Sequence, residues 1–336
     1  MMFWGESLRP ELSVILPFCD VELYLDTCLE SIARQTFSDL EVVMVDDGSR
    51  DASRAIAQGF VDKDDRFHLV CQKNRGPGAA RNTGMRHAQG RYVAFADGDD
   101  IVARTGYEQL IGSLRETGSD LACGGVYRFD RQGSWPSLLH SGIFDEARKA
   151  THITERTELL GDRTVWNKVY CRSFLETHGL SFPEHAFEDA SVAVPAHVLA
   201  RAVDVMVGPV YFWRSRDDGP QSLTQRLFES SILDGRMQQV RTVSAFLAEH
   251  SNPLKVRYDL VALEHDILIL LVALPYIDAT DRKLIVDFAS RFLETAAGQA
   301  VEQLSGENRE CYQLVRERRL PELLESLSRR PKDGFL

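Results

Sequence analysis

No apolar run in this sequence reaches the roughly 18 residues needed to cross a bilayer. The most apolar segment, Ile267 to Pro275, is nine residues long and reads as a buried helix. The N-terminal MMFWGESLRPE has neither a basic n-region nor a long apolar core, so no signal peptide is expected. No two of the six cysteines (Cys19, Cys28, Cys71, Cys123, Cys171 and Cys311) stand as Cys-x-x-Cys, and most sit beside apolar residues. Neither a zinc site nor a disulfide framework follows from such spacing, and a reducing, cytoplasmic setting does. Positive charge is in short supply: the formal net charge is −11. That balance argues against non-specific binding of nucleic acid. It does not exclude a nucleotide, because a metal ion and a few arginines can neutralise one diphosphate. Internal repeats and low-complexity segments are also missing. What is present is an ordinary globular composition, 44% hydrophobic over 336 residues. That suffices for one large domain, or a medium one with an extension.

Strand and helix patterns alternate through the first 130 residues. Strands are expected at Leu12–Leu16 (ended by Pro17), Leu40–Val45, Phe67–Cys71, Tyr92–Ala96 and Asp120–Tyr127. Helices are expected at Val21–Thr36, Asp51–Phe60, Gly78–Ala88 and Tyr107–Thr117. Such alternation predicts a parallel sheet covered by helices. From Arg128 to Thr151 the pattern becomes irregular. A helix over Val192–Ala202, with Pro195 in or near its first turn, and a strand over Val205–Tyr211 follow. Beyond about Leu223 the pattern is helical: Leu223–Glu249, Val256–Leu274, Arg282–Ala297 and Cys311–Leu327. Apolar runs in these helices need partners, which suggests a subunit interface and a homo-oligomer.

The strand Tyr92–Ala96 ends in Asp97-Gly98-Asp99-Asp100. Clustered carboxylates repel one another and cost desolvation unless a cation joins them. Asp97 and Asp99 suit a hard divalent ion that also holds a nucleotide phosphate. Gly98 leaves room for that phosphate and for an unusual backbone angle. A solvated turn capping the next helix is the alternative. Ligands of parallel sheets bind beyond the strand C-termini, where Pro17, the Asp46-Asp47 pair and this cluster converge. Lys73 to Gly84 opens a helix from a glycine-rich turn whose amides favour phosphate, with Arg75 and Arg81 as further contacts. It is a poor dinucleotide fingerprint, because Arg81 stands where the third glycine belongs. Asp47 can accept from a base or ribose, or can start an Asx-turn into the next helix. His265 reads as a helix-surface residue, whereas His185 and His197 flank a second acidic pair, Glu188-Asp189.

The ordered set Val14-Ile15-Leu16-Pro17, Ser31 to Phe37, Val45-Asp46-Asp47-Gly48-Ser49, Gly76 to Gly84 and Asp97-Gly98-Asp99-Asp100 resembles family 2 glycosyltransferases of the GT-A fold. The match covers roughly residues 11 to 215. Trp166-Asn167-Lys168 followed by Glu188-Asp189 resembles the acceptor half of bacterial members that build surface polymers or decorate natural products. The resemblance implies a Rossmann-like, mainly parallel sheet flanked by helices. It also implies a catalytic domain over residues 1–222, with a donor half at about 11–130 and an acceptor half at about 131–222, and a helical region over 223–336.

In the roles it implies, Pro17, Phe18 and Asp47 hold the nucleoside of a sugar nucleotide, with UDP the default and GDP or dTDP open. Arg75 and Arg81 face the diphosphate, and Asp97 and Gly98 lie at the donor. Asp99 and Asp97, with Asp100 sharing, hold Mn²⁺ or Mg²⁺. Asp189 is the base with Glu188 as its neighbour, and Trp166, Asn167 and Lys168 meet a hydroxyl acceptor. A helix N-terminus at Asp189 favours the ionised form that a base needs. In relatives a segment after the last core strand supplies a metal ligand or lid. Here Tyr211 to Asp218 fills that place without a histidine, leaving Asp217, Asp218 or Arg214 as substitutes. An inverting, metal-dependent glycosyltransferase is the leading expectation. A nucleotidyltransferase is disfavoured because Phe18-Cys19-Asp20-Val21-Glu22 lacks glycine and basic residues. A non-catalytic glycan-binding relative is disfavoured by the intact Asp97, Asp99 and Asp189.

Overall fold

A computed structural model describes residues 9–217, 219, 221, 222, 226 and 228–329. Asp218 and the expected helix start at Leu223 lie outside them. These residues fall into two compact units, one within Met1–Glu184 and Glu188–Gly219, the other within His185–Phe187 and Pro220–Leu336.

The first unit is built on a ten-stranded sheet. Its strands are β1 (Leu12–Phe18), β2 (Leu40–Asp46), β3 (Phe67–Cys71), β4 (Tyr92–Phe95), β5 (Ile101–Val102), β6 (Leu121–Phe129), β7 (Ser134–Pro136), β8 (Arg148–Thr151), β9 (Lys168–Cys171) and β10 (Val203–Arg214). The helices are α1 (Leu25–Ala33), α2 (Ser53–Val61), α3 (Pro77–His87), α4 (Gly106–Thr117), α5 (Arg172–Thr177) and α6 (Ala190–Leu199). The main path runs β3-β2-β1-β4-β9-β6-β10-β5, with β7 on β6 and β8 on β10. β1 and β2 are buried at every position, as continuous apolar strands between two helix layers must be. In α1 the buried Leu25, Cys28, Leu29 and Ile32 form the stripe that the spacing predicted.

Three features depart from expectation, and the first has a local cause. Pro17 lies inside β1 and does not end it. Pairing of β1 with β4 stops at Ile15, while pairing with β2 continues to Phe18. Ile15 accepts from Ala96 on the β4 side, so Pro17, two residues on, lacks its N–H where no ladder remains. The larger departure is β9. It runs antiparallel between β4 and β6, so the sheet is mainly but not wholly parallel. This insertion delivers residues 162–168 to the centre of the sheet. Pro195 sits well inside α6, beyond the first turn expected for it.

The second unit is helical: α7 (Ser230–His250), α8 (Asn252–Val261), α9 (Ile267–Ala273), α10 (Ala279–Thr295), α11 (Gly298–Gln303), α12 (Gly306–Arg316) and α13 (Leu320–Ser328), with a π-helical turn at Ala262–Asp266. Asp278 caps α10 by accepting from the amides of Thr280 and Asp281. His265 is exposed on the π turn, as expected of a surface residue. The run Ile267, Leu268, Leu270 to Leu274 is buried within this single chain. Its partners are the neighbouring helices, among them α10 and α13. The apolar run therefore supplies no surface for the homo-oligomer it suggested. No helix among the described residues is long and apolar enough to cross a membrane.

Candidate active site

Because β1, β2 and β4 are parallel neighbours, their C-terminal ends share one edge, and the residues after them meet there. Asp97 to Asp100 follow β4 in a tight turn closed by the Asp100 amide on the Asp97 carbonyl at 3.1 Å. Tyr211 on β10 fixes this turn, its hydroxyl accepting from the Asp97 amide at 2.9 Å. Asp100 is 1% exposed and accepts from the Arg214 amide at 2.7 Å. Burial, with Asp99 and Asp97 nearby, pushes its carboxyl well above the ordinary range. Asp100 is thus an interior brace, and the expectation that it shares a metal is not met in this arrangement. Gly98 differs from expectation too. It has no left-handed backbone, and a Cβ there would come within 3.0 Å of the Phe18 Cβ and 3.3 Å of Val21. Glycine is needed for close packing of the turn on β1.

Asp97 and Asp99 remain partly open, with 32% and 17% of their side chains exposed. Each is matched by an arginine. Arg216 Nε and Nη2 lie 2.8 and 2.6 Å from Asp99 Oδ2, and Arg81 Nη2 lies 2.6 Å from Asp97 Oδ1. Arg81, expected to face a diphosphate, is 2% exposed on α3. Its other nitrogen, Nη1, pairs with Glu188 and stands 3.1 Å from Asp189 Oδ1. Burial opposes its charge, but Asp189, Asp97 and Glu188 outweigh that and raise its pKa. One guanidinium therefore joins the two acidic clusters that are nearly a hundred residues apart in sequence.

The second cluster stands at the start of α6, where Asp189 is the N-cap residue without a side-chain capping bond. Burial, opposed by Arg81 and reinforced by Glu188, pushes the Asp189 carboxyl up to about 6. The helix N-terminus does not win, contrary to expectation. Glu188 is 4% exposed, whereas 21% of the Asp189 side chain reaches solvent. Asp189 is the more accessible of the two.

The glycine-rich turn has a use that its spacing did not reveal. Gly76 holds φ +88°, and a Cβ on Gly78 would lie 2.1 Å from the Pro183 carbonyl oxygen. Asn82 and Phe182 exchange two hydrogen bonds, at 2.7 and 2.9 Å. Phe182 and Pro183 are thereby docked on α3. Asp47 is 3% exposed, and accepts from the amides of Arg75 and Gly76 at 2.9 and 2.8 Å and from Gln72. The Asx-turn into α2 is made by Asp51, which accepts from the Ser53 amide at 2.9 Å, while Asp46 accepts from the Ser49 amide at 2.8 Å. Arg75 is exposed and pairs with Glu184. Pro17 and Phe18 are buried at the end of β1.

Trp166, Asn167 and Lys168 were expected to meet an acceptor. Asn167 and Lys168 are fully buried, Trp166 is 4% exposed, and Trp166 stacks on Tyr211 at 4.3 Å. None of the three presents a surface to an acceptor. The residues that sequence reasoning missed are Tyr211, Arg216 and Asp162. Arg214 at the end of β10, with Arg216 two residues on, was the available signal for Arg216. For Tyr211 and Asp162 there was none, since their partners come from distant strands.

The donor set suits a hard divalent cation. Asp97 and Asp99 offer carboxylate oxygens that solvent can reach, and two arginines already supply the positive charge this spot attracts. Asp217, a possible substitute ligand, faces Arg131 at 3.9 Å.

Residues 13–179 match the family model for glycosyl transferase family 2. EpsH of Bacillus subtilis (strain 168), which carries a glycosyltransferase name, is 32% identical over 75% of this chain and 73% of its own length. The crystal structure of S. aureus TarS 1-349 in complex with UDP-GlcNAc aligns with a TM-score of 0.73 at 18% identity, covering 95% of this chain and 90% of that one. The mannosyltransferase PcManGT from Pyrobaculum calidifontis, in complex with GDP-Man and Mn²⁺, aligns with a TM-score of 0.53 at 16% identity, covering 96% and 87%. The acidic cluster after β4, the acidic pair at the start of α6, the mixed sheet and these relationships agree: the chain belongs to glycosyl transferase family 2 and has the GT-A fold.

Proposed function

We propose that this protein is a metal-dependent, inverting glycosyltransferase that moves a sugar from a nucleoside diphosphate to a hydroxyl acceptor. The observation that carries this reading is the Arg81 fork, which brings Asp97 beside Asp189. Transfer with inversion requires two groups on opposite sides of the anomeric carbon. One stabilises the departing diphosphate and the other takes the acceptor's proton. Asp99 and Asp97 would hold Mn²⁺ or Mg²⁺, which supplies the positive charge for the leaving group. Asp189 accepts the acceptor's proton as the new C–O bond forms and the sugar–phosphate bond breaks. A carboxylate with pKa pushed up to about 6 is ionised at neutral pH and still a useful base. Arg75 and the loop ends around Phe18 and Asp47 lie where the nucleoside diphosphate binds in this reading. UDP is the first donor to test, because TarS was crystallised with UDP-GlcNAc; GDP and dTDP follow.

The experiment is a thermal-shift panel of UDP-, GDP- and dTDP-sugars, with Mn²⁺ and with EDTA, followed by turnover assays on any that bind. A shift that needs Mn²⁺, with release of the nucleoside diphosphate, is expected. Shifts equal in EDTA would remove the metal. Binding without turnover, across hydroxyl acceptors and water, would remove the enzyme.

A further inference from the structure

Beneath the second acidic cluster lies a group of charged residues with no access to solvent. Asp162 and Lys168 are each 0% exposed in their side chains, with Lys168 Nζ 2.7 Å from Asp162 Oδ1. Asn167 Nδ2 also donates to Asp162 Oδ1, at 3.0 Å. The other carboxylate oxygen, Oδ2, lies 3.1 Å from His197 Nε2. Lys168 donates further to the Thr164 carbonyl and to Asn167 Oδ1. Asn167 donates to the Gly124 carbonyl at 3.0 Å, which ties the turn to β6. The turn from 162 to 168 is thus closed on itself, with the buried Val165 inside it. The Val165 backbone faces the Asp189 carboxylate and favours its ionised form.

We propose that the buried Asp162–Lys168–His197 cluster positions Asp189, a role that rests on reading Asp189 as the base. The geometry divides the task between the two oxygens of Asp162. Through Lys168 and Asn167, one holds the turn whose Val165 backbone meets the Asp189 carboxylate. Through His197, the other holds α6, the helix that starts at Asp189. A single carboxylate therefore fixes both the base's helix and the turn that faces its carboxylate. The charged partners facing Asp189 from other elements are Arg81 of α3, Asp97 after β4 and Lys168 of β9.

Two other uses of the cluster fit less well. Cys123, Asp162 and His197 place ligand atoms within 4.8 Å of one another, as a metal site would. The Lys168 ammonium already supplies the cation there, and burial pushes the Cys123 thiol up, away from the thiolate a metal takes. A purely stabilising role is a weak explanation as well. A buried ion pair seldom outperforms apolar side chains of equal volume, because desolvation offsets the attraction. What apolar side chains cannot do is hold a backbone amide in one place.

The test compares wild type with Asp162→Leu/Lys168→Met, which removes both charges together and avoids stranding one. Asn167→Ala, which keeps the ion pair, serves if the double variant does not fold. Amide exchange at Val165 is followed by NMR. The kcat and donor Kd are measured with Mn²⁺ and the sugar nucleotide that wild type turns over. The expected result is exchange at Val165 at least tenfold faster and kcat lower by about 10- to 100-fold. Donor Kd should stay within about twofold and Tm within a few degrees. In an Asp189→Asn background the same substitutions should cost no further kcat, since they act through the missing base. Unchanged kcat in a folded variant, or an equal loss in that background, overturns the proposal. If wild type turns over none of the panel, the glycosyltransferase reading fails by itself. Val165 exchange still decides the positioning, and slow exchange in the variants overturns it.

Discussion

Arg216 places two nitrogens, at 2.8 and 2.6 Å, on a single oxygen of Asp99. An arginine thus occupies the charge-balancing position that a divalent ion takes in the proposed reaction. The two cations compete for one carboxylate, so Arg216→Gln should strengthen binding of Mn²⁺ alone by severalfold. Asp99→Asn should abolish it and leave the fold intact, because removing one of several crowded carboxylates relieves repulsion. Calorimetric titration of Mn²⁺ into each variant checks both. Weaker binding in Arg216→Gln would show that the arginine supports the metal site and does not oppose it.

Arg81 carries a different load. It is the shared countercharge for Asp97, Glu188 and Asp189, and only 3% of its side chain is exposed. Arg81→Met fills the space and leaves three carboxylates around an apolar side chain. Removing one partner of a buried ionic group typically costs about 3–5 kcal/mol. Urea denaturation should show a loss of that order, or failure to fold at neutral pH. A loss below about 1 kcal/mol would mean that solvent, and not Arg81, balances the cluster.

Much of this site was legible in the sequence because acidic residues stand in short runs, one of them directly after an apolar strand. The Asp97–Asp100 cluster and the Glu188-Asp189 pair needed no structure to be noticed. Their joining did, because Arg81 reads as a phosphate ligand when its helix is viewed alone. The misplacement of Asn167 and Lys168 has a similar cause. The resemblance gave them an acceptor role, but the insertion of β9 between β4 and β6, which no local periodicity announces, buries both. Gly98 was read from its own flexibility, whereas its neighbours Phe18 and Val21 decide it.

The raised pKa of Asp189 makes a statement about stability. Its folded value, about 6, lies above the ordinary 3.8, so the native state binds the proton more tightly than the unfolded chain. The ionised carboxylate therefore destabilises the fold at neutral pH. That penalty shrinks as pH falls through 6 toward 4. Asp189→Asn removes it, and should raise Tm by a few degrees at pH 7.5 while making little difference near pH 4. Differential scanning calorimetry at both values reads the effect. A lower Tm at pH 7.5 would mean that the pairing with Arg81 outweighs the cost of burial.

The same substitution tests the chemistry. Glu188 is enclosed against Arg81, while part of the Asp189 side chain reaches solvent, so Asp189 is the carboxylate an acceptor can approach. Asn keeps the size and the hydrogen bonding of Asp but cannot take a proton. Loss of a general base costs about 10²–10⁴-fold in rate, and Asp189→Asn should fall by that much. Donor Kd should hold within about threefold, because the cation for the donor's diphosphate is assigned to Asp97 and Asp99. Glu188→Gln keeps a neutral partner near Arg81 and should lose less turnover. Both variants need kcat measured at saturating donor, with Kd from calorimetry. Normal turnover in Asp189→Asn with collapse in Glu188→Gln would exchange the two roles. Collapse of donor binding in Asp189→Asn would instead place Asp189 on the donor side of the reaction.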